Sequence, residues 1–242
     1  MPSPPRPPRA TAARKSAASK PALSRERVIE AALAEIDERG VAAFNLRNLA
    51  ERLAVYPTAV YWHVPNKTAI LAEVVAVVFR DVAPQQRKND DWRSYLRRLF
   101  QRYRESARRH PNVAPLVAAH LVGNLRIDFD FVEGVLAALS AAGLAGARLV
   151  AGYNAVVAAL IGFVIQEFSP LPEADTEQWQ SAVQQRLLGV DPAAHPVLAA
   201  NLPLLANKAF ILRWQNGSEA PLDDSYASFV EQVLAGLESL RE

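Results

Sequence analysis

Arg47 to Lys67 reads RNLAERLAVYPTAVYWHVPNK. Leu46, Leu49, Ala50 and Leu53 recur three and four apart, the spacing of one helix face, and Asn45 just ahead of them is suited to an N-cap. The other face carries Arg47, Asn48, Glu51 and Arg52. A turn at residues 54–56 leads to Pro57, which fits a first helical turn because the amide hydrogen it lacks would have no partner there. The helix that follows reads PTAVYWHV. Val60 and Val64 anchor it inward beside Val55, which leaves Thr58, Ala59, Tyr61, Trp62 and His63 for the flanks and the outer face. Two short helices joined by a tight turn predict a helix-turn-helix, whose second helix enters a DNA major groove about 12 Å wide.

Working outward, Ser24 caps a first helix over 25–39, with Val28, Ile29, Ala32, Leu33 and Ile36 on one face and Gly40 at its end. Beyond Pro65, Asn66 caps a fourth helix over 67–82. The stretch APQQRKNDDW at 83–92 breaks the pattern and marks a boundary. Helical spacing then returns at 91–109, 112–121, 124–142, 147–168, 177–188, 196–214 and 223–240, and no segment alternates like a strand. The predicted fold is all-α, with a DNA-binding domain and connecting helix over 25–82 and a larger helical domain over 83–242.

The 242 residues are 50% hydrophobic and 21% charged, with a formal net charge of only +2. That balance describes a folded chain with no general affinity for polyanions. Its distribution is uneven. Residues 1–24 carry five basic side chains, no acid and six prolines, whereas 25–67 sum to zero and 68–242 to −3. The first segment has too little apolar surface to offset the entropy of ordering and reads as a disordered tail, either a DNA-seeking arm or a solubilising extension. It lacks the apolar core of a signal peptide. The apolar run AVVAALIGFVI, residues 155–165, is short for a membrane span and reads as a buried helix, so no membrane partner is expected and the location expected is cytoplasmic. There is no cysteine, which excludes disulfides and thiolate chemistry. His63, His110, His120 and His195 do not fall at metal-ligand spacing, and neither phosphate-loop glycines nor a nucleophile elbow occurs. The expectation is therefore no enzyme, no cofactor and no metal.

The run from Arg47 to Lys67 resembles the DNA-binding signature of TetR-family transcriptional regulators, and the resemblance extends over 25–80. Trp92 to Phe168, which ends in FDFVEGVLAALSAAGLAGARLVAGYNAVVAALIGFVIQEF over residues 129–168, is similar to the regulatory domain of the tetracycline-repressor branch. The resemblance implies that Arg47, Tyr61 and Lys67 meet DNA, the last two at phosphates. It implies base or methyl contacts at Thr58 and Ala59, and base or backbone contacts at Trp62 and His63. Two positions depart from the pattern. Ala54 stands where the family places glycine in the turn, and Pro57 where tetracycline-type members have a polar side chain that reads bases.

The resemblance also implies a homodimer with an inducer pocket in the second domain. The helix over 147–168 and the last helix supply interface candidates: Leu149, Tyr153, Val156, Leu160 and Val164 with Phe229, Val233 and Leu237. Pocket candidates are Phe100, Tyr103, Leu116, His120, Leu121, Phe129, Asn154 and Phe163. His110 reads as a helix-end residue favoured by the dipole, although tetracycline-type relatives have a magnesium-holding histidine near this position. The function expected is that of a repressor bound to palindromic double-stranded DNA and released by a small apolar or amphipathic inducer. The alternative, prompted by Pro57 and the neutral charge of 25–67, is a helical ligand-binding or protein-interaction dimer without specific DNA readout.

Overall fold

The computed structural model describes residues 22–87, 90–120, 127–172 and 174–240. The expected tail lies outside them apart from residues 22–24. All regular structure among the described residues is helical. The first four helices are α1 (Arg25–Ala43), α2 (Leu46–Leu53), α3 (Pro57–Tyr61) and α4 (Lys67–Val78). Three of them begin on side-chain caps that are legible in the sequence. Ser24 accepts from the Arg27 amide at 3.3 Å, Asn45 from Asn48 at 2.9 Å and Asn66 from Ala69 at 2.8 Å. Gly40, at φ 75°, breaks α1 before its last turn. α4 stops short of the expected residue 82: Phe79 leaves the helix at φ −105° and ψ 10°, with its ring stacked on Tyr103, centroids 4.6 Å apart.

Helices α5 (Trp92–Arg109), α6 (Leu116–His120), α7 (Phe129–Ala141) and α8 (Gly146–Glu167) follow, then α9 (Thr176–Leu188), α10 (Pro196–Leu205) and α11 (Asp223–Ser239). Two predicted helices are shorter than their spacing implies. Residues 111–115 form turns, held onto α1 by the Asn112 amide, which donates to the carbonyls of Ile36 and Asp37 at 3.0 and 3.2 Å. α10 contains Pro203, which withholds a helical hydrogen bond, and ends at Leu205 rather than 214. Beyond it, Asn207 at φ 59° accepts from the amides of Trp214 and Gln215 and organises a loop in place of a helix.

Two apolar cores result. The first joins Val28, Ile36, Phe44, Leu49, Val60, Val64 and Ile70. It also takes in Val113, Leu116 and Val117, so α6 packs on the DNA-binding end although it follows the break at 83–92. The second is built from α5, α7, α8 and α11 around Leu96, Leu99, Leu139, Leu160, Val164 and Leu234. α8 is 22 residues long and apolar enough to cross a membrane, longer than the run singled out in the sequence. Its contacts with α5, α7 and α11 make it the central helix of this body. Helices α9 and α10 bury no residue, and Leu188, Val197 and Leu204 are largely exposed.

Candidate DNA interface and ligand cavity

Val60 and Val64 are fully buried and fix the orientation of α3. Its other side is open. Tyr61 is 49% and Trp62 88% exposed, Thr58 is exposed, and Ala59 and His63 are partly covered. Tyr56, at the N-cap of α3, is 83% exposed. Its spacing marks it only as a turn residue, and the signal that it belongs to the open face is an unanchored aromatic directly before the recognition helix. On α2, Arg47 is exposed beside Glu51 at 3.2 Å, a loose pairing that leaves its guanidinium available. Arg52, by contrast, is held by both carboxylate oxygens of Glu38.

Lys67 opens α4, donates to the Phe44 carbonyl at 2.7 Å and lies over the Phe44 ring. It thereby ties α4 to the α1–α2 loop and keeps two N–H donors for another partner. The turn between α2 and α3 closes on Ala54, whose φ of 54° lies in the left-handed region. The Ala54 and Val55 amides donate to Glu51 and Ala50, each at 3.0 Å. The turn therefore has the geometry a glycine would adopt, built instead on a residue with a Cβ.

A cavity of about 570 Å³ lies among α4, α5, α6, α7 and α8. Its wall is mostly apolar, with Val75, Phe79, Val82, Val117, Phe131, Val157, Leu160 and Ile161. Of the pocket candidates whose side chains are described, Tyr103 alone lines it. Its hydroxyl is buried with no hydrogen-bond partner among the described residues, and burial pushes its pKa up, so it stays a phenol able to donate. Phe100 is buried in the second core, and Leu116 belongs to the first. Phe163 sits inside an aromatic cluster with Phe210, Tyr226 and Phe229 at 5.0–5.1 Å. Phe129 and Asn154 are exposed and off the wall. Leu121 and the His120 side chain lie outside the described residues. Periodicity had marked buried positions, but it does not distinguish a filled core from a lined space. His110 caps α5 with Nδ1 2.9 Å from Asp37 and is not in the cavity wall.

The interface candidates separate in the same way. Val156, Leu160, Val164 and Leu237 are buried within the single chain, Tyr153 lines the cavity, and Leu149, Phe229 and Val233 pack against the second core. The face that α8 leaves open instead consists of Val150, Ala151, Asn154, Ala155 and Ala158, all exposed. Ala235 and Gly236 of α11 are exposed as well. Among the described residues no group of three or more His, Asp or Glu side chains gathers as a metal site.

An open aromatic helix held ahead of a helical body with an apolar cavity is the architecture of a ligand-responsive transcriptional regulator. Residues 28–74 match the family model for bacterial regulatory proteins of the tetR family, and residues 83–240 match that for the tetracyclin repressor-like C-terminal domain. The chain belongs to the TetR family of transcriptional regulators, a family of regulators and not of enzymes. It is 32% identical over 190 residues to an HTH-type transcriptional regulator of Saccharopolyspora erythraea, covering 78% of this chain and 79% of that one. It is 28% identical over 229 residues to the class C tetracycline repressor protein of Escherichia coli, covering 90% and 92%. Among solved structures, BioQ with its double-stranded DNA operator superposes with a TM-score of 0.55 at 28% identity, covering 65% of this chain and 93% of that chain.

Proposed function

We propose that this protein is a cytoplasmic homodimeric repressor that binds a palindromic operator through paired α3 helices and is released by a small apolar or amphipathic ligand in the 570 Å³ cavity. The observation that carries the reading is the open face of α3, where Thr58, Tyr61 and Trp62 stand clear of the core that Val60 and Val64 enter. The structurally similar BioQ is seen with its double-stranded DNA operator, and sequence relatives include tetracycline repressors. In this reading Thr58, Ala59, Trp62 and His63 face the groove. Arg47, Tyr61 and the two remaining donors of Lys67 hold the backbone. Two-fold symmetry places the half-sites about one helical turn apart. The ligand acts by population shift, so its effect is bounded by how much better it binds the DNA-incompetent arrangement. α4 is the natural transmitter, because it carries Lys67 at one end and cavity residues at the other.

Selection from a pool of random duplexes at near-physiological salt tests the reading. The outcome expected is enrichment of one palindrome, with recovery lost in a Tyr61→Ala variant that still folds. Retention that merely follows ionic strength, with no sequence enriched, would overturn it.

A further inference from the structure

The cavity opens beside a second, more polar groove of about 720 Å³ that runs along the α4–α5 connection, α5 and α7. Arg80 and Asp128 line both spaces, so a ligand seated in the cavity presents its outer end to these two side chains. Their availability differs. Asp128 is the N-cap of α7, and one of its oxygens accepts from the Phe131 amide at 3.0 Å. Glu73, the other acid of the cavity rim, is paired with Arg25 at 2.8 Å. In the groove, Arg98 is held by both oxygens of Asp90, and Arg102 donates to the Asp81 carbonyl. Arg87, Asp81, Asp130 and Glu133 line the groove but not the cavity. Arg80 makes no side-chain hydrogen bond or ion pair among the described residues, although it stands at the junction. At the inner side, the Tyr103 hydroxyl is buried without a partner in a wall that also carries Phe79, Phe131 and Tyr153.

We propose that the ligand is an amphipathic carboxylic acid. Its carboxylate takes the planar fork of the Arg80 guanidinium, its apolar body fills the cavity against Phe79 and Phe131, and an oxygen on that body accepts from Tyr103. The chemistry follows from which groups are unspent. A guanidinium without a partner offers two parallel N–H donors to a carboxylate. A buried phenol without a partner costs stability until an acceptor arrives. The inference rests on the ligand-responsive reading and adds the charge and polarity of the effector.

Four naphthalene probes test it against the full chain by calorimetry at one ionic strength: 6-methoxy-2-naphthylacetate, 2-naphthylacetate, and the alcohol and amine analogues of the first. The methoxy acid is expected to bind about tenfold more tightly than the alcohol, with the amine weakest. Arg80→Gln should erase the preference for acid over alcohol and leave the affinity for the alcohol within twofold. Tyr103→Phe should weaken the methoxy acid severalfold without affecting 2-naphthylacetate, and should leave the unliganded protein as stable as before or more so. Binding of no probe, equal binding of acid and alcohol, a preference that survives Arg80→Gln, or an unchanged methoxy acid in Tyr103→Phe would each overturn the proposal. Duplex selection without ligand reports on the regulator reading separately. A selected palindrome without acid preference removes the ligand class alone, and acid preference without duplex release removes the inducer mechanism alone.

Discussion

Ala54 holds a left-handed conformation, φ 54° and ψ 46°, at the C-cap of α2. For a residue with a Cβ this costs about 1–2 kcal/mol relative to glycine. Ala54→Gly is therefore expected to raise the midpoint of thermal unfolding by a few degrees, at about 2–4 °C per kcal/mol for a chain of this size. DNA affinity should be unchanged, because the turn already has the required geometry. Glu35 poses a different problem. It is 1% exposed on α1, and neither carboxylate oxygen has a hydrogen-bond partner within 3.5 Å among the described residues. Desolvation raises its pKa above the ordinary carboxylate value, so its folded form favours the proton. Stability from this site is present at low pH and is lost as the pH rises through the folded value. Glu35→Met should stabilise the protein by about 1–3 kcal/mol at pH 8 and by less at pH 5. Melts at the two pH values would check this, and equal gains would count against an ionised Glu35 as the cause.

At the scale of elements, the second core is tied together by charge as well as by packing. Glu167 at the end of α8 is fully buried, meets Arg104 of α5 at 2.6 and 2.8 Å and accepts from the Leu222 amide at 3.0 Å. Arg104 continues to Asp223 of α11 at 2.8 Å and lies over the Tyr226 ring. Arg108 and then Arg104 hold the Asp223 carboxyl below its usual range, so its contribution is present at neutral pH and fades as the pH falls. Removing the charge at the centre leaves a largely buried guanidinium underpartnered. Glu167→Gln is expected to destabilise by about 3–5 kcal/mol, measured by urea unfolding. A loss below 1 kcal/mol would mean that Asp223 alone satisfies Arg104. The Cβ of an alanine at Gly217 would lie 2.4 Å from the Glu167 Cγ, so the loop before α11 can lie across this pair only because residue 217 has no side chain.

The same scale separates what spacing could locate from what it could not. Caps at Ser24, Asn45 and Asn66 and the proline at 57 placed the first four helices, because those signals are local to the backbone they satisfy. The ends of α4, α6 and α10 were set by contacts between distant residues or by a proline late in an otherwise helical run. Asn112 holding the end of α1 is one such contact. The cavity was almost wholly invisible. A wall valine and a core valine have the same periodicity, and among the candidates with described side chains only Tyr103 stands in the wall.

At the scale of the whole molecule, the exposed face of α8 is the feature that a single chain leaves unresolved. Less than a third of its most apolar stretch is buried, and Ala151, Ala155 and Ala158 lie along the open side. A second copy that brings the same small-residue face alongside would cover it with close helix approach. Ala158→Arg is expected to convert the dimer to a folded monomer, seen as half the mass by sedimentation with helical content retained. Specific DNA affinity should fall with it, since one recognition helix reads only half a site. A variant that remains dimeric would move the interface off this face.

The amino-acid sequence by itself determined the class of fold, the helix-turn-helix and the orientation of its recognition helix. Those depend on residues three, four and seven apart and on caps one residue away, and over such distances the backbone admits few alternatives. Tertiary structure alone decided which side of α8 is open, which buried aromatics face a space and which fill one, and which arginines are already paired. Arg52, Arg98 and Arg80 carry the same charge in the sequence. Only the fold brings Glu38 to the first and Asp90 to the second, and leaves the third without an ion-pair partner among the described residues, at the mouth of a cavity.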